Sequence, residues 1–218
     1  SMMHFSRLAE ELVIWSSREF QFIRLEDTFT TGSSIMPQKR NPDFAELARG
    51  RTGRVYGNLM AILTVMKGLP LTYNRDLQED KEGIFDTVDT LLPTMNVFQG
   101  MLSSLTLDVD RVSALAEESN MLATDLADYL VSKGVPFRQA HGIMRELCDY
   151  CESNAKGLAN LAMEDYQRFS EHFAEDIYQI TARSSAEARD NIGSTAPRRV
   201  AEELKQAKAI LSEAQDGF

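Results

Sequence analysis

Apolar side chains recur three and four positions apart along most of the chain, whereas the alternation typical of β-strands is nearly absent. The first such segment begins at residue 3 and covers about 15 residues. Its charged residues lie away from an apolar face that carries Phe5, Leu8, Leu12 and Trp15. The pattern therefore predicts an all-α protein whose first helix is amphipathic.

Two long helices are predicted in the first half of the chain. Asn41-Pro42-Asp43 supplies a capping residue, a proline at the first helical position and an early acid before a helix from Phe44 to about Lys67. A further helix runs from about Asp80 to Met101, and Pro93 is expected to kink it. At 1.5 Å per residue, each helix would be roughly 30 Å long or more, as in helical bundles.

The predicted helices become shorter after this point. Asp110 and Thr124 are expected to begin two short helices, and Pro136 begins another. We therefore predict two domains. Residues 1–106 would be part of a bundle of long helices, and residues 107–218 a small C-terminal domain of short helices.

The chain is acidic, with 33 Asp and Glu against 23 Lys and Arg and a formal net charge of −10. We expect no nucleic acid or anionic membrane as a partner, because phosphate groups attract the opposite charge. No apolar run reaches the roughly 18 residues of a spanning helix, and no signal peptide is evident. Two cysteines cannot form a disulfide framework, which favours a reducing compartment, with the cytoplasm as the expected location.

The segment from Thr31 to Asp43 is chemically unusual for a connection. It combines a glycine, two adjacent serines, Lys39, Arg40 and the start of a helix. The first N–H groups of that helix and the two cations can together hold an anion, and a carboxylate is the obvious candidate. A polar surface loop that only caps the helix is the alternative.

A second polar segment runs from Thr72 to Lys81. Its tyrosine, amide and cationic side chains offer many hydrogen-bond donors within a short stretch, which suits a ligand that bears carboxylates and a guanidinium. A solvated turn between helices, held by ion pairs, is the simpler alternative.

Cys148 and Cys151 share a helical face with His141 and Met144. Zinc would need four ligands, and this stretch offers only three plausible ones. A half-buried packing face is therefore favoured over a metal site or a redox pair.

Residues 32–43, which read GSSIMPQKRNPD, resemble the signature of the fumarase, aspartase and argininosuccinate lyase superfamily. Gln38 resembles the argininosuccinate lyases, since fumarases tend to have glycine there and adenylosuccinate lyases histidine. Residues 71–81, 124–130 and 133–138 are similar to segments of the same family, so the resemblance covers essentially the whole chain. Because family members are about twice as long, we expect the chain to correspond to the C-terminal half.

The resemblance implies the reversible β-elimination of argininosuccinate to arginine and fumarate. Ser33 matches the serine proposed as the base, with loop N–H groups and nearby cations stabilising its alkoxide; a simple hydrogen-bond donor is the alternative. Lys39 and Asn41 would hold the succinyl carboxylates and stabilise the carbanion. Glu46 would orient a catalytic histidine from another segment, unless it is ordinary helix surface.

Three further residues match family positions that bind the substrate. Among them, Lys81 would form an ion pair with the carboxylate at the arginine end of the substrate. These substrate-binding residues are Tyr73, Gln78 and Lys81. No metal or organic cofactor is implied. The loop is expected to close on the substrate, with Gly32 as one hinge.

Each active site of the family is formed by segments from three subunits of a homotetramer. Because the upstream catalytic motifs of the family are missing from this chain, we expect it to be inactive by itself. We also expect it to self-associate through apolar faces around Phe5, Leu12 and Trp15, which the missing helices would otherwise cover. A non-catalytic structural protein on the same scaffold and a helical assembly domain remain as alternatives.

Overall fold

The computed structural model describes residues 1–118 and 120–216. α-Helices take up most of these residues, which confirms the predicted all-α class. The helices are α1 (Met2–Ser16), α2 (Asp43–Val65), α3 (Asp80–Ser104), α4 (Val109–Glu118), α5 (Ala123–Ser132), α6 (Phe137–Ser153), α7 (Met163–Gln167), α8 (Ala182–Ala188) and α9 (Pro197–Asp216). The short strands are β1 (Ile23–Arg24), β2 (Thr31–Gly32), β3 (Arg40–Asn41) and β4 (Thr106–Leu107).

The chain forms two compact units, Ser1–Arg111 and Val112–Phe218. The first contains the long helices α2 and α3, and the second contains the shorter helices from α5 onward. The domain division at residues 106 and 107 stays a prediction. Within the described ranges, no helix combines the length and the apolar character needed to cross a membrane.

The core of the first unit forms where α1 packs against the N-terminal half of α2. Leu12 is only 3% exposed and joins the same cluster as Ala48. Phe5 is half-buried, with its ring centroid 5.0 Å from that of Phe98. The expectation that Leu12 lies on an unpaired apolar face is therefore wrong, because α2 covers it, whereas Trp15 is 40% exposed.

Helices α2 and α3 pack as an antiparallel pair. Near the far end of α2, Asn58 lies against Gly83 and donates a hydrogen bond of 2.8 Å to Asp86. The Arg54 guanidinium also binds Asp86, and these hydrogen bonds hold the pKa of that carboxyl below its usual range. Near the other end, Ala48 and Phe98 line one small cavity. The two helices are thus joined along much of their length.

The expected caps of two helices are wrong in detail. Pro42 occupies the N-cap position of α2 without a side-chain hydrogen bond, because Asn41 is held in strand β3. Asp108, rather than the expected Asp110, caps the start of α4. Its side chain accepts a hydrogen bond of 3.0 Å from the backbone N–H of Arg111. In both cases a strand ends immediately before the helix and determines which residue can serve as its cap.

The second unit is built around α5 and α6. Leu130, Met144, Leu147 and Cys151 are buried in one apolar cluster. Cys148 is half-buried beside them, and burial raises the pKa of both thiols. Protonated thiols are poor nucleophiles and metal ligands, which agrees with a packing role for this helical face.

Candidate functional site

The signature residues form a β-hairpin rather than the irregular loop that the sequence suggests. Strand β2 pairs antiparallel with β3, so Thr31 lies opposite Asn41 and Gly32 opposite Arg40. Residues 33–39 form the exposed end of this hairpin, which we call the signature hairpin (residues 31–41). The expected role of Gly32 as a hinge stays a prediction.

Two polar contacts fasten the stem of the signature hairpin. The hydroxyl of Thr31 donates to the carboxylate of Asp43, at the first turn of α2. On the other strand, the Nε atom of Arg40 lies 3.4 Å from Oδ1 of Asp27. Both strands are therefore tied to residues outside the hairpin. The sequence gives no signal for either contact, because each joins residues 12 or 13 positions apart.

Ser33 lies at the beginning of the hairpin turn and is half-buried. Its Oγ atom accepts hydrogen bonds from the backbone N–H groups of Ile35, at 3.2 Å, and Met36, at 3.0 Å. Two donors aimed at one oxygen stabilise negative charge on that oxygen, because each places a partial positive charge next to it. The geometry is thus suited to lowering the cost of a serine alkoxide.

The other predicted residues of this segment differ in their surroundings. The side chain of Lys39 is exposed and forms no salt bridge with any described side chain. Its backbone N–H closes the turn by donating a hydrogen bond of 3.0 Å to the carbonyl of Met36. Asn41 is half-buried in β3, and Glu46 is exposed in the first turn of α2. One turn after Glu46, the guanidinium of Arg49 forms a hydrogen bond of 2.5 Å with the carboxylate of Glu10. That hydrogen bond raises the pKa of Arg49, and the negative charge of Glu46 contributes more weakly in the same direction.

The second predicted segment lies between α2 and α3. Tyr73 is 81% exposed, and Gln78 lies in a short 3₁₀ turn. Lys81 is the second residue of α3, and its Nζ lies 2.8 Å from Oδ1 of Asp80. All three predicted substrate-binding side chains of this segment are exposed, whereas the fourth, Asn41, is half-buried.

Thr72, immediately before Tyr73, has a φ of 102°. This region is unfavourable for a β-branched residue, and such strain tends to concentrate at functional sites. The side chain of Asn74 braces the turn by donating to the carbonyls of Pro70, at 2.8 Å, and Thr72, at 3.2 Å. The periodicity of the sequence carries no signal for this strained backbone.

The two segments lie at opposite ends of α2. The signature hairpin precedes this helix and the second segment follows it, and its 23 residues span about 34 Å. A single copy of the chain therefore keeps Ser33, Lys39, Asn41 and Glu46 apart from the second group of predicted residues. That second group consists of Tyr73, Gln78 and Lys81.

A cleft of about 870 Å³ lies behind the signature hairpin. Arg24, Asp27, Gln38 and Arg40 line it, with Asp108 from the start of α4. None of the seven predicted site residues lines this cleft. The signature hairpin lines the cleft through Pro37, Gln38 and Arg40, on either side of Lys39, but not through Ser33.

Comparisons with known proteins place these features in a family. The family model described as "Lyase" matches residues 1–57, which include the signature hairpin, and the one described as "Argininosuccinate lyase C-terminal" matches residues 120–186. The argininosuccinate lyase of Dehalococcoides mccartyi is 54% identical over 212 residues, which are 97% of this chain and 46% of the relative. That of Geobacillus kaustophilus is 53% identical, with the same coverage.

Solved structures share the fold. EDDS lyase in complex with formate superposes with a TM-score of 0.86 at 25% identity, over 99% of this chain and 45% of that chain. A class II fumarase from Schistosoma mansoni gives a TM-score of 0.67 at 19% identity, over 82% of this chain and 35% of that chain.

The fold and the signature hairpin define a member of the lyase class to which these structures belong. Within that class, the chain belongs to the argininosuccinate lyase family. It spans about half the length of the curated relatives that it matches.

Proposed function

We propose that this chain supplies two parts of the active site of an argininosuccinate lyase, which acts in arginine biosynthesis in the cytoplasm. The observation that carries the proposal is the pair of backbone N–H groups that donate to the Ser33 oxygen. A serine is a poor base unless its alkoxide is stabilised, and this arrangement meets that requirement within the family signature.

In the proposed reaction, the Ser33 alkoxide removes a proton from the carbon next to a succinyl carboxylate. The electron pair left on that carbon spreads into the carboxylate and forms an aci-carboxylate. Lys39 places positive charge beside it, and Asn41 donates a directional hydrogen bond. The carbon–nitrogen bond then breaks, the leaving guanidine nitrogen takes a proton from a general acid in another segment of the assembled site, and arginine and fumarate are released. The proposed steps use only protein groups.

The remaining predicted residues have binding and orienting roles in this proposal. Glu46 is exposed at the start of α2, where its carboxylate can orient a histidine from another segment. Lys81 pairs the carboxylate at the arginine end of the substrate, and Tyr73 and Gln78 bind other polar groups. Their exposure leaves them accessible to a ligand or to a second copy of the chain.

The separation of the two segments supports an active site shared between copies. About 34 Å of helix is much longer than the substrate, so the hairpin of one copy must meet the second segment of another. Exposed apolar side chains on α2 and α3 offer a surface for such association, which we propose builds the tetramer of the family. They include Tyr56, Leu59, Met60, Leu63, Ile84, Phe85, Val88 and Leu92.

The direct test is fumarate release from argininosuccinate. We expect no turnover by this chain alone, and turnover by a chimera in which the chain replaces the matching segment of the Dehalococcoides mccartyi relative. A chimera that assembles but releases no fumarate would contradict the proposal and favour a structural protein on the same scaffold. Turnover by the chain alone would instead show that one half contains every catalytic group.

Association through α2 gives a separate prediction. Leu59 is 55% exposed on α2, and Leu59→Glu is expected to raise the dissociation constant for self-association at least about 100-fold. An unpaired carboxylate in an apolar interface costs roughly 3 kcal/mol or more. Analytical ultracentrifugation measures the change, with Gln99→Glu at an exposed polar position of α3 as the charge-matched control. Equal weakening by both variants would contradict an interface on this face.

A further inference from the structure

Phe29 connects the signature hairpin to the core of the first unit. It ends a 3₁₀ turn, Asp27–Phe29, two residues before strand β2 begins. Its ring packs edge-on against Phe44 of α2, with centroids 6.1 Å apart, and its tip lies against Gly100 of α3. The aromatic ring therefore touches both long helices.

Gly100 is what allows the ring to lie there. A Cβ atom at position 100 would lie 2.6 Å from Cζ of Phe29 and 3.2 Å from Cε1. Non-bonded carbon atoms do not approach this closely, so with any larger residue the tip of the ring or α3 must shift. Glycine in the middle of a helix is itself unfavourable by roughly 0.5–1 kcal/mol relative to alanine. Its presence within α3 is explained by this contact.

Phe29 lies close to Ser33 along the chain. Only Thr30, Thr31 and Gly32 separate Phe29 from Ser33. The turn beyond the strands, residues 33–39, is mostly exposed, so the hairpin is positioned at its stem. The stem contacts are polar and exposed, and such contacts are weak individually, whereas the aromatic contact adjoins the packed core.

We propose that Gly100 and Phe29 are positioning residues for the Ser33 hairpin, acting through the contact between the ring and α3. The inference rests on the proposed function, because it assigns the hairpin a catalytic role. Neither residue touches the substrate in this proposal. A shift of the ring moves the stem of the hairpin, and with it Ser33 and Lys39, relative to the helices that carry the rest of the site.

The test is Gly100→Ala in the chimeric lyase. We expect kcat to fall about 10- to 100-fold, because a misplacement of roughly 1 Å at a reacting group has effects of that size. Adding Phe29→Leu, which removes the Cζ and Cε atoms that the new methyl group would meet, is expected to restore most of the lost kcat. Gly142→Ala on α6 is the matched control, since nothing lies within 4 Å of a Cβ at that position.

A second measurement does not depend on activity. In the chain itself, Gly100→Ala should speed hydrogen exchange at the Ile35 and Met36 amides, which donate to Ser33, and the added Phe29→Leu should slow it again. A kcat unchanged within about twofold, or a loss of kcat that Phe29→Leu does not relieve, would overturn the proposal. If Ser33→Ala keeps full turnover, the proposed function fails, and the exchange measurement still decides whether the contact positions the hairpin.

Discussion

Ser33→Ala is expected to lower kcat of the chimeric lyase by about 10²- to 10⁴-fold, the usual contribution of a positioned general base. Alanine has no oxygen to receive the proton, and it leaves the Ile35 and Met36 N–H groups without their acceptor. Steady-state kinetics of fumarate release measures the loss. Sedimentation of the same sample shows whether the assembly is intact.

Ser34 provides the matched control for this prediction. It carries the same hydroxyl one position along the chain, but it is exposed and the two backbone donors point to Ser33 instead. Ser34→Ala is therefore expected to reduce kcat far less than Ser33→Ala. Equal losses in the two variants would mean that the donor geometry at Ser33 does not identify the base.

Phe98→Ala is expected to destabilise the first unit by about 3–5 kcal/mol, the cost of a large cavity in a packed core. Phe98 is 2% exposed, lies in the same buried cluster as Leu12 and Ala48, and contacts the ring of Phe5. The loss is a large part of the 5–15 kcal/mol that a typical domain has in total. Urea unfolding, followed by the fluorescence of Trp15, the single tryptophan of the chain, reports on this unit.

Gln99→Ala, at the next position of α3, is the control for the core prediction. Gln99 is exposed, so its replacement is expected to change the free energy of unfolding by no more than about 0.5 kcal/mol. A loss below about 1 kcal/mol for Phe98→Ala would contradict the assignment of this ring to the core. Such a result would mean that α1 and α3 are not packed together as described.

Much of the fold follows from local patterns. The sequence predicts the first of the two long helices from Phe44 to about Lys67, and it lies at Asp43–Val65, because three- and four-residue apolar spacing and Gly68 are local signals. The signature hairpin was not predicted, since two-residue strands leave no alternation to detect. The burial of Leu12 was also not predicted, because it depends on where α1 packs against α2.

The candidate site also combines residues that the sequence reveals with residues that only the packing reveals. Ser33, Lys39 and Asn41 were found because they lie within one contiguous motif, and their catalytic roles stay predictions. Phe29 and Gly100 were not found, because their side-by-side placement brings together residues about 70 positions apart in the chain. No spacing rule connects such residues until the helices are packed.

The sequence by itself determined the all-α class, the long and short helices and the family signature, because each depends on residues close together in the chain. Only the tertiary structure decided three further features: the stem contacts of the hairpin, the burial of Leu12 and the placement of Phe29 against Gly100. The physical reason is distance. Local propensity acts over a few residues, whereas the residues that meet in these contacts lie 12 or more positions apart in the chain.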